Sequence, residues 1–147
     1  MQFETMKGDE DHRLMGRAKA KRASRGRPES AVQIAIIRRV IFHGIVCVHV
    51  KNEGARSVFG HLAAKREGLL PGFPDLVAMQ SPGRVAFLEC KEPGWVPPSD
   101  KAKGAGAIHY RRQCDAHAML RRLGFWAGFV TSQDQAVEGL REAGFRC

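Results

Sequence analysis

Hydrophobic and polar positions alternate along the chain with two different periods. Ala31, Ile34, Ile37 and Ile41 recur at helical spacing, and Val32, Ala35, Ile36 and Val40 widen the apolar stripe. With Pro28-Glu29-Ser30 ahead of it, this segment predicts a helix from about 29 to 42, packed deep in the core and broken at Gly44. Ile45-Val-Cys-Val-His-Val50 is β-branched and reads as a strand. Asn52-Glu53-Gly54 is a turn signal, and 57–67 reads as a shorter helix stopped at Gly68. After the rigid loop Pro71-Gly-Phe-Pro74 come two further strands, Asp75–Met79 and Arg84–Lys91. Ser81-Pro-Gly83 is a tight turn between them, so the pair predicts a hairpin. Residues 92–106, rich in Pro, Gly and Lys, read as an exposed loop. A long helix fits 107–123, closed by Gly124; a strand fits 125–130; a last helix fits 133–143, stopped at Gly144. The order α-β-α-β-β-α-β-α, without internal repeat, predicts an α/β fold with a mixed sheet flanked by helices.

Composition adds a partner class to this picture. The chain has 147 residues, 44% of them hydrophobic, which suffices for one core and one domain. Its 24 Lys+Arg against 15 Asp+Glu leave a net charge of +9. That field attracts polyanions, nucleic acid first among them. Residues 1–28 hold few apolar side chains and end in Arg17-Ala-Lys-Ala-Lys-Arg-Ala-Ser-Arg-Gly-Arg27, six of whose eleven residues (Arg17, Lys19, Lys21, Arg22, Arg25 and Arg27) are cationic. Such a segment buries too little to offset its ordering entropy. It reads as a basic arm that touches phosphates, or more plainly as a solubilising tail, ahead of a folded domain at 29–147. Arg111, Arg112, Arg121 and Arg122 give the 107–123 helix a cationic surface that either tracks phosphates or is simply solvated. No apolar run reaches about 18 residues and the N-terminus lacks a signal-peptide core, which predicts an intracellular, cytoplasmic protein without a membrane partner. Cys47, Cys90, Cys114 and Cys147 form no C-x-x-C pair, and Cys114 with His109 and His117 matches no common zinc spacing, so the cysteines read as reduced, packed thiols.

The chemistry concentrates on the hairpin. Glu89 and Lys91, two apart on a strand, share one face with Val85 and Phe87, while Ala86, Leu88 and Cys90 point the other way. Asp75 opens the partner strand. Hydrolysis of a phosphodiester needs an attacking water, charge stabilisation at phosphorus and help for the leaving oxygen. Two carboxylates suit Mg²⁺, which prefers oxygen ligands, and such an ion polarises a phosphate and acidifies water. A neighbouring lysine orients or deprotonates that water and offsets transition-state charge. The Cys90 backbone carbonyl, between the two side chains, is a further candidate ligand. By itself E-x-K equally describes a surface ion pair.

Together, Asn52-Glu-Gly54, Gly72-Phe-Pro-Asp75-Leu76, Phe87-Leu-Glu-Cys-Lys91 followed by Pro93-Gly94, and Gln113 on the next helix resemble the virus-type replication-repair nuclease family, VRR-NUC, of the PD-(D/E)XK superfamily. The likeness spans roughly 29–143 and implies a restriction-endonuclease-like fold. It implies that Asp75 and Glu89 bind Mg²⁺ or Mn²⁺, that Lys91 is catalytic, and that Gln113 supports the site or contacts the scissile strand, although a helix glutamine is also simply solvated. Glu29 matches an acidic residue near the metal, although an acid at a helix N-terminus also serves the macrodipole. Tyr110 stands where a serine is usual, three residues before the glutamine, and the loop carrying Trp95, Lys101 and Lys103 is long. Trp95 either stacks on a base or packs that loop. The implied activity is a metal-dependent DNA endonuclease acting on branched DNA or four-way junctions in replication, recombination or repair. Two active sites on one junction imply a homodimer, and a phage or prophage origin fits. The competing classes are a non-catalytic nucleic-acid-binding module and a sequence-specific restriction-type nuclease.

Overall fold

The computed structural model describes residues 28–51 and 66–147. The basic arm and most of the helix expected at 57–67, with the Asn52-Glu-Gly54 turn, lie outside the described residues. Within them, the elements are α1 (Pro28–Phe42), β1 (Val46–His49), β2 (Leu76–Gln80), β3 (Arg84–Cys90), α2 (Ala105–Arg122), β4 (Trp126–Val130) and α3 (Gln133–Glu142). The four described strands form one sheet in the order β1-β2-β3-β4, antiparallel except for the parallel β3–β4 pair. The parallel pair is the consequence of crossing over through α2. This is the mixed sheet flanked by helices expected of a restriction-endonuclease-like fold. No described helix is long and apolar enough to cross a membrane.

The period-2 pattern of β3 divides the molecule. Ala86, Leu88 and Cys90 face the main core, where they meet Leu76 and Ala78 of β2, Val130 of β4, Ile36 and Val40 of α1, and Ala136 and Leu140 of α3. Phe87 and Val85 face the other way, towards Leu120 and Met119 of α2, with Ala127 of β4 beside them. Glu89 continues that second row, so its carboxylate emerges under α2 rather than in the main core. All four cysteines are free, and Cys90 is fully buried.

The buried face of α1 differs from the expected one. Ile36 and Val40 are fully buried, and Val32 and Ile37 pack beside them, whereas Ile34, Ile41 and Phe42 are exposed. The helix is apolar almost all round, and the described residues cover one stripe of it, the i, i+4, i+8 row Val32–Ile36–Val40. Its periodicity alone left that stripe undetermined.

Candidate active site

Four separate elements converge at the end of the sheet where β2 begins. Continuing the β2–β3 register by one residue sets Asp75 opposite Glu89. The Asp75 carboxylate is fixed there: its Oδ2 accepts the backbone N–H of Cys90 at 2.9 Å, while its carbonyl accepts from Val50 at 2.7 Å. Lys91 lies just past β3, yet its N–H still donates to Val130 at 2.9 Å, which keeps its side chain in register with Glu89. Lys91 Nζ donates to Glu89 Oε1 at 2.9 Å. It also lies 3.6 Å from Glu29 Oε1, which the first turn of α1 brings round from the opposite side of the sheet. From α2, the buried Gln113 amide donates to the same Glu89 Oε1 and contacts His109 Nε2 at 2.9 Å.

Glu29, Asp75 and Glu89 each offer an oxygen within 4.8 Å of the others, and they are the one such group of three or more metal-capable side chains among the described residues. Cys114, His109 and His117 do not form such a group. The Cys90 thiol belongs to the main core, so only its backbone borders the carboxylates.

The electrostatics are unbalanced. Three carboxylates face one ammonium. Burial pushes the Glu89 carboxyl up to about 8, and the neighbouring Asp75 carboxylate adds to this. For Lys91 burial acts downward, but the Glu89 carboxylate, with Glu29 and Asp75, outweighs it and holds the ammonium above the usual lysine range. Burial dominates the first shift and the surrounding carboxylates the second. Meanwhile Glu89 Oε2 is buried without a hydrogen-bond partner. An orphaned carboxylate oxygen beside two further carboxylates fits a hard divalent cation.

A cleft of about 430 Å³ opens onto this cluster. Glu29, Lys91, Gln113, Trp95, His109 and Tyr110 are among the residues that line it. Trp95 is stacked on Phe129 (ring centroids 5.2 Å apart, planes at 28°) and lies 5.7 Å from Tyr110. Behind Trp95, Phe129 in turn meets the His117 ring at 4.5 Å. Sequence reasoning missed this aromatic cluster and the Gln113–His109 contact. The signal for the helix part was the i, i+4, i+8 spacing of His109, Gln113 and His117, which places all three on one face of α2. Arg111 and Arg112, by contrast, are exposed outside this cleft lining, and the Arg111 guanidinium donates to the Ala102 carbonyl at 3.2 Å.

His117 makes a prediction of its own. Burial pushes its pKa down to about 4, with the Arg121 and Lys91 cations adding to the effect, and neither ring nitrogen has a partner. The folded state therefore prefers neutral imidazole. Its contribution to stability is full above the unfolded value of about 6.5 and is lost as pH falls through about 4. His117→Leu should flatten the acid limb of the stability curve between these values. Urea midpoints of both proteins at pH 7 and pH 4.5 check this; an unchanged acid limb would refute it.

No family model matches the chain, and no curated protein matches it. Among solved structures, the chain is similar to one described as a VRR_NUC domain, at 20% identity and a TM-score of 0.46, covering 78% of this chain and 95% of that one.

Proposed function

We propose that the chain is a metal-dependent endodeoxyribonuclease. The observation that carries this reading is the convergence of Glu29, Asp75 and Glu89 on one point with Lys91 held beside them and Glu89 Oε2 left unpartnered. Asp75 and Glu89 would hold Mg²⁺ or Mn²⁺, with the Cys90 carbonyl and Glu29 as further oxygen ligands. Bound there, the ion would offset charge on the scissile phosphate and lower the pKa of the attacking water. Lys91 is held as a cation by its carboxylates, so its role is to donate hydrogen bonds to that water and to the phosphate rather than to remove a proton. Gln113 fixes the Glu89 carboxylate through one oxygen and leaves the other for the metal. The exposed arginines of α2, Arg111 and Arg112, and the cationic residues of the N-terminal arm (Arg17, Lys19, Lys21, Arg22, Arg25 and Arg27) would contact the DNA backbone. Action on branched DNA by a homodimer is the finer form of the proposal, and the VRR-NUC resemblance of the sequence motifs supports it.

The test combines cleavage and stability. Labelled single strand, duplex, flap and four-way junction are incubated with EDTA, Mg²⁺ or Mn²⁺; cutting is expected only with metal. Without DNA, Mg²⁺ at about ten times its Kd should stabilise the protein by about 1.4 kcal/mol. At one fixed Mg²⁺ concentration, because metal competes with the proton on Glu89, the gain should be larger at pH 8.5 than at pH 6, and absent in Asp75→Asn. Binding of DNA without cutting, and without a metal effect on stability, would sink the nuclease reading in favour of a passive binding module.

A further inference from the structure

We propose that the cleft beside the carboxylates takes one unpaired nucleotide, its base lying against Trp95 and Tyr110 and its phosphate facing Lys91; the phosphate half rests on the nuclease reading. The lining of the cleft combines two chemistries. Glu29 and Lys91 are ionic and Gln113 is polar, whereas Trp95 and Tyr110 are aromatic. Lys91 Nζ stands 5.8 Å from the Trp95 ring centroid. Both groups line the same cleft, so a nucleotide whose base meets Trp95 has its phosphate near Lys91. A cleft of about 430 Å³ has room for one base with its sugar.

The aromatic lining is built before any ligand arrives. Trp95 stacks on Phe129, Tyr110 lies 5.5 Å from Phe129, and His117 backs Phe129 from α2. The Trp95 backbone N–H donates to the Glu92 carbonyl at 3.1 Å, which closes the turn that presents the ring. Rings already fixed by packing lose little freedom when a base stacks on them. Stacking on aromatics tolerates any base, because every base has a π-face. A base within a duplex has both faces covered by its neighbours and cannot enter such a cleft. It must be unpaired already or leave the stack at an unfavourable cost, least where pairing is absent. The cleft therefore favours cutting at unpaired nucleotides in loops, bulges and branch points over continuous duplex.

The experiment uses the full chain and two DNA duplexes, one with a single unpaired 2-aminopurine and one with the same base paired. In EDTA, the unpaired probe should be quenched on binding. The quench should be lost in Trp95→Ala, weakened in Tyr110→Ala, and retained in Trp95→Phe. With Mg²⁺, the bulged duplex should be cut about tenfold faster than the paired one or more, and this ratio should fall towards one in Trp95→Ala. Circular dichroism of each variant checks that it has folded, with Tyr110→Ala carrying the test should Trp95→Ala not fold. Equal cutting of both duplexes by the wild type, or a quench that survives both alanine variants, would overturn the inference and leave the nuclease standing. A quench that depends on Trp95 in a protein that cuts nothing would support the base site while overturning the nuclease reading. Absence of both would overturn both.

Discussion

Lys91→Ala is expected to lower metal-dependent cleavage by about a hundred- to a thousandfold, the usual cost of removing one donor aimed at developing charge. DNA affinity should stay within a few-fold, because one buried ammonium adds little to a surface carrying many exposed cations. The same substitution leaves the buried Glu89 carboxylate without its ammonium. Its pKa, already up to about 8, should rise further. A carboxyl whose folded pKa exceeds its unfolded value stabilises the protein below the unfolded value and loses that contribution as pH rises through the folded one. In the absence of metal, Lys91→Ala should therefore lose stability between about pH 6 and pH 9 more steeply than the wild type. Single-turnover cleavage, filter binding and thermal midpoints across this range measure all three effects. Cleavage at the wild-type rate would remove Lys91 from the chemistry; a flat pH response would show that the Glu89 carboxylate has another counter-charge.

The second large effect is expected at a glycine that touches no reacting group. Gly72 has φ +78 and sits against the backbone of α2: a Cβ there would lie 2.5 Å from the Arg112 carbonyl carbon, and 2.6 Å from its oxygen and from the Gln113 nitrogen. These are main-chain atoms of a helix, which cannot swing aside as a side chain would. Gly72→Ala should cost about 2–4 kcal/mol, combining left-handed strain with overpacking. Gly83→Ala is the control. It also has positive φ (+60), but open space surrounds its Cβ position, so its cost should be about 1 kcal/mol. Because the displaced turn of α2 carries Gln113, Gly72→Ala should also lower cleavage at temperatures where it remains folded. Urea unfolding of both variants decides the matter: equal losses would show that the approach of loop 71–74 to α2 is not what the glycine serves.

Much of the fold was legible because short-range periodicity produced it. The two-residue alternation in β3 placed Glu89 and Lys91 together and set Ala86, Leu88 and Cys90 opposite them, and both faces stand as expected. The hairpin predicted at Ser81-Pro-Gly83 forms and brings Asp75 across to Glu89. The helix at 107–123 begins two residues earlier and ends one earlier than its pattern suggested, a difference of the size that fraying ends produce.

The remainder depended on contacts between distant segments. Nothing in the spacing of α1 indicated that Ile34 and Ile41 would stay exposed, because a helix apolar all round does not specify the stripe its neighbours will cover. Trp95 left two readings open, and the loop turned it onto Phe129, thirty-four positions along the chain, while keeping part of it in the cleft. Gly72 was legible as part of a motif; its tight approach to α2 was not. Sequence by itself determined which neighbours share a face: Glu89 with Lys91 at the end of the β3 segment, and the aspartate across the hairpin. Only the tertiary structure decided which faces meet. It brought the first turn of α1 and the buried face of α2 to the same sheet end, and so left three carboxylates around one ammonium. Periodicity is a property of neighbours in the chain, whereas the charge of a site is summed over neighbours in space.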